Sequence, residues 1–534
     1  MAVETKFRTC NLCEALCGLE IKVEDNKAIS IKGDDQDVLS HGHICPKAVA
    51  LIDIQEDPDR LKHPMRKLGD KWEKISWEEA YHYTAQKLVA VQQQYGTNAI
   101  GIYQGNPSVH NLGTSLFSPD FVRSLKTTNR FSATSVDQLA HHLAATYMFG
   151  HPLMVPVPDI NRTMLWLIVG GNPLVSNGSM MTAPGVHHKL KDIQKRGGKV
   201  IVIDPRKTET AHKADQHIFI KPGTDFWLFA AIVNHLINID QINTAHLQEV
   251  VEVSQIGEIK EALSAFTLEI AEEKTGIPIN IIKSLIQEFV AAESAVCYGR
   301  LGVSAAHNGS LCHWLINCIN ILTDNFDQPG GAMFTNPAVD IRSRKSKIPK
   351  FARWHSRVKG LPEFNGELPS AAIADDILEP GEGQIKAMIT SCGNPVLSVP
   401  NGKKLDQAFE SLDFMLCIDI YLNETSKHAD IILPPATGLE TPHYGIAFHN
   451  LAIHNTAKYS EPAVDKKEGT KYDWEIFTEL QEAYLKEKAA VQNDTPVETQ
   501  AVTLEEKLDM LLRFSPHRLS LEELKMHEHG IDLG

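Results

Sequence analysis

Hydrophobic residues fall along the chain in two rhythms. Short continuous apolar runs, read as strands buried on both faces, occur at NAIGIYQG (98–105), MLWLIVGG (164–171) and KVIVIDPR (199–206). Between them lie segments of helical period: one starting near Ser76 with serine as its cap, one over Thr114 to Leu125, and one over His187 to Gln194. Strands alternating with amphipathic helices predict parallel sheets of doubly wound α/β type. The stretch Asp340 to Gly383, rich in proline and glycine and weak in period, is expected to cross the surface. Beyond Lys471 the pattern is helical and increasingly charged.

At 534 residues, 43% hydrophobic and 22% charged, the chain is long enough for several lobes with a sizeable core, and its composition excludes disordered, collagen-like and coiled-coil classes. The 52 Lys and Arg against 67 Asp and Glu leave a net charge of −15, which argues against a nucleic-acid partner. The longest apolar runs, such as Met164 to Val169 and Ile431 to Leu433, fall far short of the roughly 20 residues a membrane helix needs, so no membrane segment is expected. The N-terminus MAVETKFRTC has neither a basic segment leading an apolar one nor a twin arginine. A cytoplasmic location is therefore expected.

Nine cysteines are too few for a disulfide framework in a chain of this size. Four of them, Cys10, Cys13, Cys17 and Cys45, read C-x2-C-x3-C-x27-C followed by Pro46. Three thiolates in one loop with a fourth from a distant segment suit a 4Fe-4S cubane. Zinc is the alternative occupant, although zinc ribbons more often present two separated C-x2-C knuckles. Cys297, Cys312, Cys318, Cys392 and Cys417 sit in apolar patterns and read as small core residues.

One internal similarity bears on function. Gly171-Asn172-Pro173, Asp204, Thr208-Glu209-Thr210 and Ala214-Asp215 recur as Gly393-Asn394-Pro395, Asp419, Asn423-Glu424-Thr425 and Ala429-Asp430, in identical register from the strand-end aspartate. A strand-end acid can accept hydrogen bonds from ribose hydroxyls, so two such half-sites suggest two similar nucleotides. The alternative makes Gly-Asn-Pro a tight turn and each aspartate a helix cap. Pro222-Gly223-Thr224-Asp225 is open in the same way: a phosphate turn, or a capped helix beginning at Thr224. No G-x-G-x-x-G or G-x-x-x-x-G-K-[ST] appears, which argues against an ordinary NAD site or a P-loop.

The cysteine motif with GGNPLVSNG, IDPRKTETAHKAD, KPGTD, YGRLGVSAAHNG, NILTDNFDQPGG, SCGNP and HADIILPPAT resembles the catalytic subunits of the molybdopterin oxidoreductases, the formate dehydrogenase, nitrate reductase and dimethyl-sulfoxide reductase superfamily. The likeness runs from Cys10 to about Gly534. It implies a small iron–sulfur domain (1–57) and two interleaved α/β lobes (58–132 with 365–471, and 133–364) bearing pseudo-twofold cofactor half-sites, then a helical extension (472–534). It implies a 4Fe-4S cluster on the four cysteines, two molybdopterin guanine dinucleotides, and molybdenum or tungsten. Lys47 matches the cation between cluster and pterin. Asn172, Asp204, Arg206, Thr208, Gly223 and Asp225 match one dinucleotide set, and Gly299, Gly302, Cys392, Asn394, Asp419 and Glu424 the other. The implied activity is two-electron redox of a small molecule, with electrons passing to a carrier protein or redox subunit.

The chain departs from the family in two places. The segment Ala133 to Gly150, from which many relatives supply a metal ligand, has no cysteine; Ser135 and Asp137 are its strong oxygen donors, and His141 and His142 are candidate proton acceptors. Adjacent helical residues point about 100° apart, so one of the two histidines at most is expected to face a site, with helix surface as the alternative. The β-rich C-terminal domain of the family has no counterpart here, which suggests a truncated chain or a separate completing subunit. A non-catalytic electron-transfer or scaffold subunit, resembling the large subunit of respiratory complex I, is the rival reading.

Overall fold

The computed structural model describes residues 3–239, 251–342, 351–495 and 502–534. The chain divides into two compact units, one of residues 1–136, 350–447 and 457–532, the other of 137–349, 448–456 and 533–534. The cluster segment (1–57) and most of the C-terminal extension (472–532) therefore share a unit with the first lobe.

The first unit opens with an antiparallel meander of strands Glu4–Thr9, Gly18–Glu24 and Lys27–Gly33. Its main sheet has seven strands in the order 71–74, 65–68, 431–433, 414–418, 387–391, 100–104 and 130–132. From Ile431–Leu433 to Arg130–Ser132 the pairing is parallel, and the hairpin 65–74 adds an antiparallel edge. Continuous apolar runs such as FMLCI are buried at every position because helices cover both faces. Helix Trp77–Tyr95 begins where Ser76 Oγ accepts from Glu79 N at 3.1 Å. The following helix starts earlier than its periodicity indicates, at Leu112, because Asn111 caps it by accepting from Thr114 N (2.8 Å). The long helix Asp473–Gln492 packs on both of these helices.

The second unit holds a four-stranded all-parallel sheet, ordered 216–218, 199–203, 165–169 and 295–299. Val186–Lys195 is the helix expected over His187 to Gln194, longer by one residue at each end.

The segment 340–383 departs from the expected surface crossing. Residues 343–350 lie outside the described ones, and the rest contains a strand pair, Phe351–His355 with Pro362–Phe364, and a helix, Ile373–Leu378. Leu368, Ile373 and Ile377 are almost wholly buried in the core. A six-residue helix is too short to show a period among prolines and glycines, yet it presents one apolar face. Among the described residues no helix is long and apolar enough to cross a membrane.

Candidate functional site

The four cysteines of the motif are brought to one place at the start of the first unit. Strand Glu4–Thr9 delivers Cys10, and Cys10 N donates to Cys17 O (2.8 Å), closing the loop that carries Cys13. Cys45 stands at the N-terminal end of the short helix Pro46–Val49. All four are free thiols; Cys10 and Cys17 are buried, Cys13 and Cys45 half-buried. Burial pushes the Cys10 thiol up to about 12, with further increments from Cys13 and Cys45. The Cys17 thiol is pushed up by burial and then by the other three sulfurs. Cys13 is also raised by burial, while the charge of Lys47 works the other way. Thiols that resist ionisation when bare, as Cys10, Cys13 and Cys17 do, are what a metal group stabilises as thiolates. Among the described residues no three His, Cys, Asp or Glu side chains converge closely enough for a single ion. A cluster, which puts its own irons and sulfides between the thiolates, suits three thiolates on one loop with a fourth from a distant segment. Lys47 itself is exposed.

The internal repeat is realised atom by atom. In the second unit the strand Leu165–Val169 ends at Asn172, whose Nδ2 donates to Glu209 Oε2 (2.7 Å) and whose Oδ1 accepts from Thr210 Oγ1 (2.7 Å); Leu174 N donates to that same Oγ1 (3.1 Å). In the first unit the strand Ala387–Ser391 ends at Asn394, whose Nδ2 donates to Glu424 Oε2 (2.7 Å) and whose Oδ1 accepts from Thr425 Oγ1 (2.7 Å); Val396 N donates to that Oγ1 (3.2 Å). Each strand-end aspartate turns the next loop: Asp204 Oδ1 accepts from Arg206 N (2.8 Å) and Asp419 Oδ1 from Tyr421 N (3.0 Å). Each second aspartate pins its strand, Asp215 at Val200 N and Asp430 at Met415 N, both 2.8 Å. One loop geometry is thus built twice, and chance turns do not share five hydrogen bonds.

The remaining expected residues take defined places. Thr208 is buried and caps Ala211 N (3.1 Å). Arg206 reaches Glu209 (3.1 Å); the backbone N–H of Glu209 itself, then Asn172 and Arg206, hold the Glu209 carboxyl down at about 2. Gly223 has φ +76 and needs no side chain; Thr224 Oγ1 donates to Lys221 O (2.7 Å) instead of capping the helix Asp225–Asn238. Asp225 is buried, which raises its carboxyl, with Asp204 adding to the effect. Gly299 closes the strand Ala295–Gly299, and Gly302 lies so close to Gly170 that a Cβ would sit 2.8 Å from its Cα. Cys392 holds a left-handed backbone (φ +51), and burial pushes its thiol up to about 12.

A cavity of about 600 Å³ in the first unit is lined by Asn11 and Leu12 of the cysteine loop together with Cys392, Asn394, Asp419 and Asp473. Asp473 is a residue that sequence reasoning missed. It is 1% exposed, accepts from Asn111 Nδ2 (2.8 Å) and Thr114 Oγ1 (3.2 Å), and burial raises it to about 6. Its signal was local, an acid opening the helix after Tyr472. Because its folded value lies above the ordinary 3.9, the native state holds the proton longer, so stability falls as pH rises from about 4 to 6 and stays lower above. Asp473→Asn should therefore be more stable than wild type at pH 8 by up to about 3 kcal/mol and little different at pH 4, measured by denaturant unfolding.

The two histidines differ from expectation. Both His141 and His142 are 8% exposed, because the helix Leu139–Phe149 carrying them is covered by Gly309–Leu322. His141 stacks on His313 (centroids 4.0 Å, 6°), which meets Ser304 Oγ at 2.8 Å. Burial, then neighbouring charge that includes Arg300, lowers His141 well below the ordinary range and His142 to about 4. Both are neutral at pH 7, and His141 Nδ1 and His142 Nε2 have no hydrogen-bond partner. Arg300, missed although it stands between Gly299 and Gly302, donates to Ser179 Oγ (2.7 Å) and pairs with Asp137 (3.2 Å). Ser135 is tied to Ser370 (2.8 Å), so both candidate oxygen donors are engaged.

Comparison with known proteins gives these features a common context. Residues 60–483 match the molybdopterin oxidoreductase family and residues 6–57 its Fe4S4 domain. Formate dehydrogenase H of Escherichia coli is 26% identical over 88% of this chain and 67% of its own length. The assimilatory nitrate reductase catalytic subunit of Bacillus subtilis is 24% identical over 89% and 68%. The thiosulfate reductase molybdopterin-containing subunit PhsA of Salmonella typhimurium is 25% identical over 89% and 63%. In fold, acetylene hydratase from Pelobacter acetylenicus superposes with a TM-score of 0.76 at 20% identity, covering 97% of this chain and 73% of that one. With a cysteine-loop domain ahead of two parallel α/β lobes and the family match running through both, the chain belongs to the molybdopterin oxidoreductases, enzymes of a molybdopterin cofactor with molybdenum or tungsten and, here, a 4Fe-4S cluster.

Proposed function

We propose that the chain is a catalytic module that binds one 4Fe-4S cluster and two pyranopterin guanine dinucleotides, for two-electron oxidation or reduction of a small molecule in the manner of formate dehydrogenase or the reductases. The observation that carries this reading is the Asn-Glu-Thr tie built identically at two strand ends. The bound metal supplies the two-electron chemistry. The protein's part is to position and to keep charge in place. Asp204 and Asp419, each with one oxygen committed to a loop N–H, are suited to accept from ribose hydroxyls. His141 and His142, neutral at pH 7 and each with one unpaired ring nitrogen, are the proton acceptors of this reading. The four cysteines would hold the 4Fe-4S cluster, which would supply one-electron transfer toward a carrier protein or redox subunit.

Anaerobically purified protein should release about two guanine nucleotides per chain on denaturation, with molybdenum or tungsten measured on the same sample. One nucleotide or none would defeat the paired reading. Lys47 is exposed and its charge screened, so Lys47→Met should slow turnover with an artificial electron carrier only about threefold. A loss of a hundredfold at equal metal loading would give it a larger part.

A further inference from the structure

Four cations are buried among the described residues: Arg8, Arg60, Arg300 and Lys458. Three have carboxylate partners. Arg60 reaches Glu440 (3.4 Å), Arg300 reaches Asp137 (3.2 Å), and Lys458 bridges Asp34 (3.3 Å) and Asp37 (2.9 Å). Arg8 has none. It is 1% exposed, its Nη1 and Nη2 donate to the carbonyls of Leu439 (3.2 Å) and Thr441 (3.3 Å), and its Nε has no partner. Both carbonyls are neutral, so a full positive charge stands in the interior with dipoles alone around it. Such a group is strongly disfavoured unless an anion completes its surroundings.

Arg8 lies on the strand Glu4–Thr9 two residues before Cys10, and residues two apart in extended chain lie on one face. A 4Fe-4S cluster held by four thiolates is a dianion when oxidised and a trianion after taking one electron. It would supply the missing anion, and the attraction would be stronger in the reduced form. We propose that Arg8 is the buried counter-charge of the cluster, a positioning residue that sets its potential by favouring the reduced state. This rests on the cluster assignment for Cys10, Cys13, Cys17 and Cys45.

The surroundings agree with that role. Asp37 is no substitute for the missing anion, since its charge is already met by Lys458 (2.9 Å) and Ser40 Oγ (2.7 Å). Lys47 acts on Cys13 from an exposed position where water screens it. Arg8 also ties the strap 437–441 to the strand that leads into the cysteine loop, and that strap lies close to the loop: a Cβ on Gly438 would come within 2.3 Å of Asn11 Nδ2. Thr437 and Gly438 share the cavity wall with Asn11 and Leu12. One arginine therefore links the strand that delivers Cys10 to the strap on the cavity wall and supplies the local charge.

The test is a redox titration of the anaerobic full-length protein with dithionite, followed by the electron-paramagnetic signal of the reduced cluster. One electron passes from dithionite to the cluster, and no bond forms or breaks in the protein. At fixed potential, Arg8→Gln should lower the ratio of reduced to oxidised cluster at least tenfold, a midpoint shift of about 59 mV for one electron. Arg8→Lys should stay within threefold of wild type because the charge survives. An Arg8→Gln protein with full iron and a ratio within threefold of wild type would overturn the inference. Wild-type protein without iron would instead overturn the cluster assignment beneath it. If Arg8→Gln does not fold, the wild-type potential decides: a buried counter-charge leaves it nearly constant between about 0.05 and 0.5 M salt, whereas a tenfold fall in the ratio across that range puts the counter-charge on the surface.

Discussion

Cys17→Ser is expected to leave the chain without its cluster: about four irons per chain in anaerobic wild type, and close to none in the variant, with the electron-paramagnetic signal of the reduced protein lost. Cys17 is 5% exposed and faces three other sulfurs, so the site offers no water to replace a lost ligand. A serine hydroxyl is harder than a thiolate and far less acidic, which makes it a poor iron ligand in an apolar setting. The control is Cys417→Ser. That cysteine is equally buried but accepts from Thr390 Oγ1 (2.9 Å) inside the main sheet, and its replacement should lower stability without touching iron content. Stoichiometric zinc in the wild-type protein, or full iron in Cys17→Ser, would refute the assignment.

What could be read before any coordinates were known follows the range of the forces involved. Continuous apolar strands and the C-x2-C-x3-C loop are local signals, and both elements stand where they were expected. The repeat was legible for a different reason. Asn172 with Glu209 and Asn394 with Glu424 are far apart in the chain, but duplication writes the same contact twice, and matching spacing betrays it. Single long-range contacts leave no such trace. Arg8 alternates along an edge strand as a solvated residue would, and it is buried only because the carbonyls of residues 439 and 441 close over it from more than 430 positions away. The argument that adjacent helical histidines point apart treats one helix in isolation; a second helix, Gly309–Leu322, covers both. Asp473 likewise looks like an ordinary helix-opening acid until Asn111 and Thr114 enclose it. Residues with unusual chemistry were the hardest to see, since burial by distant segments is what makes them unusual.

The double variant Asp204→Ala with Asp419→Ala is expected to bind neither dinucleotide. Each carboxylate keeps one oxygen on a loop N–H, Arg206 in one unit and Tyr421 in the other, and Asp419 has a second partner in Asn423 Nδ2 (3.1 Å). Burial raises the Asp419 carboxyl, so a hydroxyl donor arriving at its free lone pairs would stabilise the charged form at a site where water does so poorly. Loss of one such charged hydrogen-bond partner costs about 1.5 to 3 kcal/mol, or roughly ten- to more than a hundredfold in affinity for each half. Each single variant should then retain about one nucleotide per chain, and the double variant almost none, as measured by guanine released from protein of equal purity. Asp215→Asn with Asp430→Asn is the matched control, because those carboxylates pin strands at Val200 and Met415 and their loss should lower the melting temperature first. If the control loses nucleotide as fully as Asp204→Ala with Asp419→Ala at temperatures where both are folded, the strand-end acids act through the scaffold alone. If the Asp204 and Asp419 variant keeps both nucleotides, the repeated loops serve the fold and the dinucleotides are held elsewhere.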